Sequence, residues 1–446
     1  MQKQLDGGLI LRSISEGVPG DRANLASFYA QTFGAAGDDD PEGLRLWTEE
    51  LLAESHPTVT DDDLWVVVDP TKEDKIVSAL LLIPQTWRYE DVEFGVGRVE
   101  LVATDKDYRN RGLIRALMTA AHERSAALGH LVQGITGIRH YYRRFGYGMA
   151  VDLGVRNILP IAAIPKLPED VPPRYHLRPA AQADIPDIMR WDEAHARTRG
   201  VSTARDERLW RFELTGRGAE VIWNMNLHII ADAQGRGVGY VSLRLNQRSP
   251  FFSLYSYVVG EESSYLATYQ DVLLGCKQFM EQRLSPEMRE KVPWLYFDAG
   301  VPEIVDLLVD KTVPGLARPD YRIYAWYIRV ADLPAFMRCI ASVLERRLVG
   351  SGANRYTGDL NIALFDQNGL RLSFEDGRLV EAVYEAMEAE EADAAMPRDQ
   401  FIEVVFGRRT AVEIAHAFPE AYTTRKGAVL LDALFPRRRS WVVGIA

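Results

Sequence analysis

One segment constrains the fold more than any other: Arg98-Val-Glu-Leu-Val-Ala-Thr-Asp-Lys-Asp-Tyr-Arg-Asn-Arg-Gly-Leu-Ile-Arg-Ala-Leu-Met118. Residues 98–104 are mostly apolar or β-branched and predict a strand. Residues 105–111 are polar and charged. From Gly112 onward, Leu113, Ala116, Leu117 and Ala120 recur at the spacing of an apolar helix face. Strand, basic glycine-bearing turn and helix together form an α/β unit. The first amides of a helix lack intrahelical partners and lie at its positive dipole end, so this turn is suited to an anionic phosphate. Gly112 would let a ligand approach the backbone, and Arg109, Arg111 and Arg115 add charge. From spacing alone, an ordinary exposed arginine-rich turn fits equally well. Rival phosphate motifs are missing: there is no Gly-x-x-x-x-Gly-Lys-Ser/Thr run and no Gly-x-Gly-x-x-Gly after a strand. Gly235-Arg-Gly-Val-Gly239 reads as a turn between strands.

The chain has 446 residues, enough for two to four domains at about 100–200 residues each. Three blocks are expected, at 1–160, 161–326 and 327–446. The first boundary falls in Ile158-Leu-Pro-Ile-Ala-Ala-Ile-Pro-Lys-Leu-Pro168. Its prolines lack amide donors and restrict their predecessors, which marks a linker. The first two blocks open alike, each with a short strand and then a helix, which suggests a diverged internal repeat. In the third block, residues 332–347 predict one amphipathic helix. Residues 361–366 and 370–374 predict a hairpin around Gln367-Asn-Gly369, and Asp376-Gly377 marks the next turn. Residues 384–395 are charged and alanine-rich and predict a helix or a surface segment.

Composition narrows the function classes. No apolar run approaches the roughly 20 residues of a bilayer span, and residues 1–12 carry no secretory pattern. A cytoplasmic protein without a membrane partner is expected. The two cysteines, Cys276 and Cys339, exclude a disulfide framework and a cysteine-based zinc site. The eight histidines are scattered, so no metal is expected. A formal charge of −11 argues against a nucleic-acid partner. Asp38-Asp-Asp40, Asp61-Asp-Asp63 and Arg437-Arg-Arg439 are read as solvated loops and turns. Phe28, Phe33 and Trp47 are read as core residues that alternatively line a pocket.

A second feature lies downstream. After a predicted strand at 131–135 comes Arg139-His-Tyr-Tyr-Arg-Arg-Phe-Gly-Tyr-Gly148, with Tyr142, Phe145, Gly146 and Tyr147 in the pattern Tyr-x-x-Phe-Gly-Tyr. Together with Arg109-Asn-Arg-Gly-Leu-Ile114, it resembles the GNAT superfamily of acyl-CoA-dependent N-acyltransferases. Arg111-Gly-Leu-Ile-Arg115 resembles more closely the Eis-like (enhanced intracellular survival) branch, over most of the chain.

The resemblance implies an α/β and α+β architecture. Two tandem GNAT-like domains would be followed by a domain like sterol carrier protein. The second block lacks the arginine turn, as a degenerate copy would. The implied activity is acetyl transfer from acetyl-CoA to a primary amine of a small molecule or a lysine side chain. The implied assembly is a homo-oligomer, a hexamer by family analogy.

Specific residues follow from the same resemblance. Val102, Ala103 and Thr104 would offer backbone groups to the pantetheine arm. Arg109, Asn110, Arg111, Gly112, Leu113, Ile114 and Arg115 would hold the pyrophosphate. Tyr142 would be the general acid, a phenol being able to protonate a departing thiolate. The base would be the C-terminal carboxylate, here on Ala446, although relatives end in Phe. The alternative base is Glu100, two residues before Val102 and so on the same face of a regular strand. Relatives often carry a Ser-Glu pair where this chain has Thr136-Gly-Ile-Arg-His140. The competing function is an inactive protein that binds an apolar ligand in its third domain.

Overall fold

The computed structural model describes residues 2–37, 40–154, 157–165, 172–315, 318–319, 324–366 and 368–443. Apolar strands that cannot leave backbone groups unpaired in a core must join sheets. Among the described residues they form three sheets, of ten, seven and five strands. The first is built around the antiparallel hairpin Lys75–Tyr89 and Val92–Thr104. Ile10–Ser13 and Leu64–Asp69 lie on one side of it, and Val132–Ile135 pairs parallel to Val92–Thr104 on the other. The helix Leu113–Ala127 makes the crossover between those parallel strands. Of the expected face, Leu113, Leu117 and Ala120 are buried and Ala116 is half-buried, and Ala121 is buried beside them.

The second sheet repeats this order. Tyr175–Pro179, Asn226–Asp232, Gly237–Asn246 and Phe251–Val259 are antiparallel neighbours, and Trp294–Gly300 follows parallel after the helix Tyr265–Arg283. Each sheet then takes a strand from across the expected boundaries. Tyr324–Val330 inserts antiparallel between Val132–Ile135 and Gly148–Leu153 of the first sheet. Asn157–Pro160 inserts antiparallel between Trp294–Gly300 and Arg318–Pro319 of the second. The boundaries at 160 and 326 therefore do not separate the sheets. Ile158-Leu-Pro160 reads as the start of a linker, yet it completes a sheet. Its proline lies at the last position of the strand, where a missing donor costs least.

The third sheet is flanked by helices Leu333–Cys339, Ala341–Val349, Arg398–Val405, Ala411–Ala417 and Arg425–Leu434. The expected single helix over 332–347 breaks at Ile340. The hairpin and the Asp376-Gly377 turn form between Gly358–Ala363, Gly369–Glu375 and Arg378–Glu385; Gln367 lies outside the described residues. Residues 384–395 are not a helix: a strand end, one 3-10 turn and the buried strand Ala394–Ala395 occupy them. The main core of this unit is continuous with residues of the first sheet. Phe336 stacks on Phe406 at 5.5 Å and meets Phe94 of the central hairpin at 5.3 Å. Tyr89 donates its hydroxyl to the Val405 carbonyl at 2.6 Å. Truncating Phe336 to alanine would cost about 3–5 kcal/mol, because the cavity would open at this junction.

The tail returns to the first sheet. Ser440–Trp441 pairs parallel with Val201–Thr203, which pairs antiparallel with the end of Lys75–Tyr89. Trp441 packs against His195 at 4.6 Å, so the tail is wedged between the first two sheets.

Candidate active site

The site begins where two strands part. Val92–Thr104 and Val132–Ile135 pair from Val96↔Val132 to Val99↔Ile135, and among the described residues the ladder ends there. Val92–Thr104 continues for another five residues. Leu101 adopts φ 50°, and Leu101 and Val102 together face Leu80, since Ala79 pairs with Ala103 and Leu81 with Glu100. This bulge bends the strand away from its parallel neighbour. It leaves one backbone edge of residues 102–104 facing a cleft of about 510 Å³.

The bulge also breaks the period-two expectation. Leu101 and Ala103 both pack with the cluster under helix Asp21–Ala35, while Val99 and Val102 pack with the helix Leu113–Ala127. Glu100 and Val102 therefore do not share a face by simple alternation.

The basic turn closes one end of the cleft. Residues 102–104 and 109–115 all line it. Gly112 is the N-cap of Leu113–Ala127 with φ 77°. No side chain caps that helix, and nothing lies within 4 Å of where a Cβ on Gly112 would stand. The amides of Leu113, Ile114 and Arg115, in the first turn, thus have no side-chain cap. Asn110 also adopts a positive φ, 63°, which turns the chain sharply ahead of the helix. Arg109, Arg111 and Arg115 are exposed around this end. Arg111 lies 4.7 Å over the Tyr108 ring, and Tyr108 donates to Asp69 at 2.5 Å while accepting from Lys72 at 2.7 Å. Tyr108 and Lys72 had no motif to mark them. The arrangement fits the diphosphate of a coenzyme A thioester, since it offers uncapped amides, exposed guanidinium groups and room for a ligand against glycine.

Tyr142 lines the other wall and is 4 % exposed. Its ring packs against Tyr141, Tyr147 and Tyr327 at 5.3, 6.5 and 5.9 Å. Burial, reinforced by the nearby Glu100 charge, raises its pKa well above the ordinary phenol value, so it stays protonated at neutral pH. Among the described residues its hydroxyl makes no hydrogen bond. Tyr141 lines the cleft too, but its ring stacks under Arg144 at 4.9 Å. Glu100 lies outside the cleft lining and accepts from Arg98 Nε at 2.9 Å and Nη2 at 2.6 Å. Ala446 lies outside the described residues, which end at Val443. Val443 donates its amide to Thr203 Oγ1 at 3.0 Å.

Other expectations sort clearly. Phe33 lines the cleft, while Phe28 and Trp47 are buried in the core beside it. The acidic runs are not simply solvated. Asp40 caps helix Pro41–Leu51 and pairs with Arg248 at 2.6 Å. Asp63 is buried and pairs with Arg124 at 2.9 Å; Asp38 and Asp39 lie outside the described residues. Arg437, Arg438 and Arg439 each find a carboxylate, on Glu413, Glu90 and Glu303. No group of three or more potential metal ligands occurs among the described residues, and no described helix is long and apolar enough to cross a membrane.

Comparison with known proteins agrees with this geometry. Residues 20–150, which include most of this cleft, match the acetyltransferase (GNAT) domain family. No curated protein matches by sequence. Solved structures match over nearly the whole length. A GCN5-related N-acetyltransferase from Anabaena variabilis aligns with a TM-score of 0.65 at 12 % identity, covering 97 % of this chain and 99 % of that one. A probable N-acyltransferase from Enterococcus faecalis aligns at 0.64 and 12 % identity, covering 98 % and 100 %. Eis1 from Mycobacterium abscessus aligns at 0.58 and 15 % identity, covering 96 % and 97 %. The fold is therefore mixed α/β, shared over nearly the whole length with these structures.

Proposed function

We propose that this protein transfers an acetyl group from acetyl-CoA to a primary amine, carried by a small molecule or a lysine side chain. The observation that carries the reading is one cleft bounded by a bulged, unpaired strand edge, an uncapped arginine-ringed helix N-terminus and a buried phenol. The arginine turn and the amides of Leu113, Ile114 and Arg115 would hold the diphosphate. The free edge of Val102, Ala103 and Thr104 would pair with the pantetheine amides. The thioester supplies the activated acyl group.

This chain's own residues then move two protons. Tyr142 gives its Oη proton to the departing sulfur. Its raised pKa is no obstacle, because the same burial destabilises a thiolate, so donor and acceptor shift together. The incoming ammonium must lose a proton. Glu100, which pairs with Arg98 at 2.6 Å, is the candidate within the described residues. The Ala446 carboxylate is the candidate drawn from the Eis-like resemblance. The second sheet is read as a degenerate acetyltransferase-like copy, the third unit as sterol-carrier-like, and the assembly as a cytoplasmic homo-oligomer. The third unit's core is filled by Phe336, Phe401, Phe406 and Phe435, so nothing here favours an apolar-ligand carrier.

The test is calorimetric titration with acetyl-CoA, followed by thiol release with a panel of amines. Micromolar binding and amine-dependent release are expected. Tyr142→Phe should lower kcat by about 100-fold with acetyl-CoA affinity kept within about twofold. Glu100→Gln and a one-residue extension beyond Ala446 separate the two bases: only the true base, when altered, steepens the rise of kcat with pH. No acetyl-CoA binding in the wild type would end the reading.

A further inference from the structure

The wall that carries Tyr142 is held only in part by its own block of sequence, through the bonds from the Tyr141 amide to the Ile138 carbonyl at 3.3 Å and from the Tyr147 amide to the Tyr142 carbonyl at 3.4 Å. After Ile135 the chain leaves Val92–Thr104 and runs through a loop, residues 136–140, into the turn that bears Tyr142. This loop is conformationally unusual. Gly137 has φ 121° and His140 φ 67°, both outside the region that side chains ordinarily prefer. Ile138 is 65 % exposed and lines the cleft, so burial does not fix the loop. The loop also bears directly on the phenol: a Cβ on Gly137 would stand 3.3 Å from the Tyr142 hydroxyl. A shift of the loop would therefore move or crowd that group.

What ties the loop down comes from Tyr324–Val330, the strand supplied only after the whole second sheet has been built. The Tyr324 hydroxyl accepts from the Gly137 amide at 2.5 Å and donates to the Gly137 carbonyl at 2.6 Å. The Tyr327 hydroxyl accepts from the His140 amide at 2.5 Å, and its ring packs 5.9 Å from that of Tyr142. Two tyrosines thus take up three backbone groups of one loop, on both sides of Ile138. The same strand places Trp326 under the Arg98 guanidinium, 4.8 Å from its centroid, and Arg98 holds Glu100.

We propose that Tyr324 and Tyr327 are positioning residues for Tyr142, so that the acid of the first domain is aimed by a strand that crosses from the far side of the second. The clamp itself is a statement about the fold, whereas its catalytic consequence rests on the acetyltransferase reading above. A hydroxyl-only deletion is the right probe, because Phe keeps the rings and the packing. Misplacing a reacting group by about 1 Å costs up to about 100-fold in rate, so removal of the clamp is expected to be visible in kcat rather than in cofactor affinity.

The experiment compares wild type, Tyr324→Phe, Tyr327→Phe, Tyr142→Phe and the Tyr142→Phe/Tyr324→Phe double variant. Tyr324→Phe should lower kcat about tenfold and leave the acetyl-CoA dissociation constant within about threefold. The double variant should be no slower than Tyr142→Phe, because a residue that acts through another adds nothing once that one is gone. Multiplying penalties, or an unchanged kcat in Tyr324→Phe, would overturn the proposal. A second readout needs no activity. Amide exchange at Gly137 and His140 should quicken about tenfold or more in Tyr324→Phe and Tyr327→Phe respectively, with Val132–Ile135 still protected. Unchanged exchange would overturn the clamp. Faster exchange in the two variants, together with a wild type that transfers no acetyl group, would instead uphold the clamp and remove the acetyltransferase reading.

Discussion

The first and second sheets share one strand order, yet only the first opens. In the first, parallel pairing stops at Val99, two residues before the bulge at Leu101. In the second, the equivalent strand bulges at Tyr255, but pairing with Trp294–Gly300 brackets it, from Leu254↔Phe297 to Ser256↔Gly300. The ladder shifts register there but resumes beyond the bulge, where a cofactor would need a free edge, and Trp441 of the tail packs against Gly300. The turns differ as well. Where the first sheet has Arg109 to Arg115 and a glycine N-cap, the second has Glu261-Glu-Ser-Ser264. Glu262 pairs with Arg190 at 2.8 Å, and Ser264 Oγ accepts from the Ala267 amide at 3.2 Å. One helix end is uncapped and cationic; the other is capped by its own serine and acidic. The lesson is that a single topology leaves a helix end open to an anion only where the sequence supplies no cap of its own.

Four changes would break or sharpen that contrast. Writing the second turn's charge onto the first, as Arg109→Glu/Arg111→Glu, should weaken acetyl-CoA binding by about 100-fold or more, since each charged hydrogen bond contributes about 1.5–3 kcal/mol. Calorimetry decides it, and an unchanged affinity would detach the turn from the cofactor.

The next effect is on stability and concerns both sheets. Burial lowers the pKa of His122, which bonds Tyr147 at 2.8 Å in the first, to about 4, and that of His195, against Trp441, to about 3. Both folded values lie below the unfolded value of about 6.5, so between them the unfolded chain binds more protons. Stability is fully present above pH of about 6.5 and falls as pH drops toward 4. A urea midpoint measured at pH 5 should reveal a loss of about tenfold or more in the folding constant per histidine. A midpoint that is flat with pH would contradict neutral, buried imidazoles.

Gly112→Ser comes third. The site has room for a Cβ, so the cost arises from the positive φ, about 1 kcal/mol, and from a hydroxyl that competes for the free amides. Acetyl-CoA affinity should fall about tenfold; a clash would instead unfold the protein.

Smallest is Ser264→Ala in the second sheet. It should cost about 1 kcal/mol in thermal or urea unfolding and leave acetyl-CoA binding at one site per chain. A second equivalent of cofactor would mean that the cap alone had kept the second site closed.

Much of this was legible because it was local. Residues 98–118 announced strand, turn and helix through periodicity, and the helix forms as Leu113–Ala127 with Gly112 at its cap. The repeat was faint in sequence and plain in topology. What failed was non-local. Asp40 and Asp63 read as solvated because their arginines lie far along the chain, at Arg248 and Arg124. Glu100 was aligned with Val102 by strand alternation, which a bulge cancels and which no composition signals. Ile158 was read as linker because its proline-bearing run breaks elements locally, while the pairing partner that makes it a strand lies beyond residue 293.

The sequence by itself determined the chemistry of the turn: an uncapped, arginine-bearing helix start needs only glycine, charge and spacing, all within a few residues of one another. The tertiary structure alone decided which strands complete which sheet, and therefore which tyrosines hold the loop behind Tyr142. Backbone pairing is indifferent to sequence distance, since any strand of the right length satisfies the same donors and acceptors. Only the packing of Tyr327 beside Tyr142 and Tyr147, and of Leu159 beside Leu295 and Phe297 in the second core, selects the exchange.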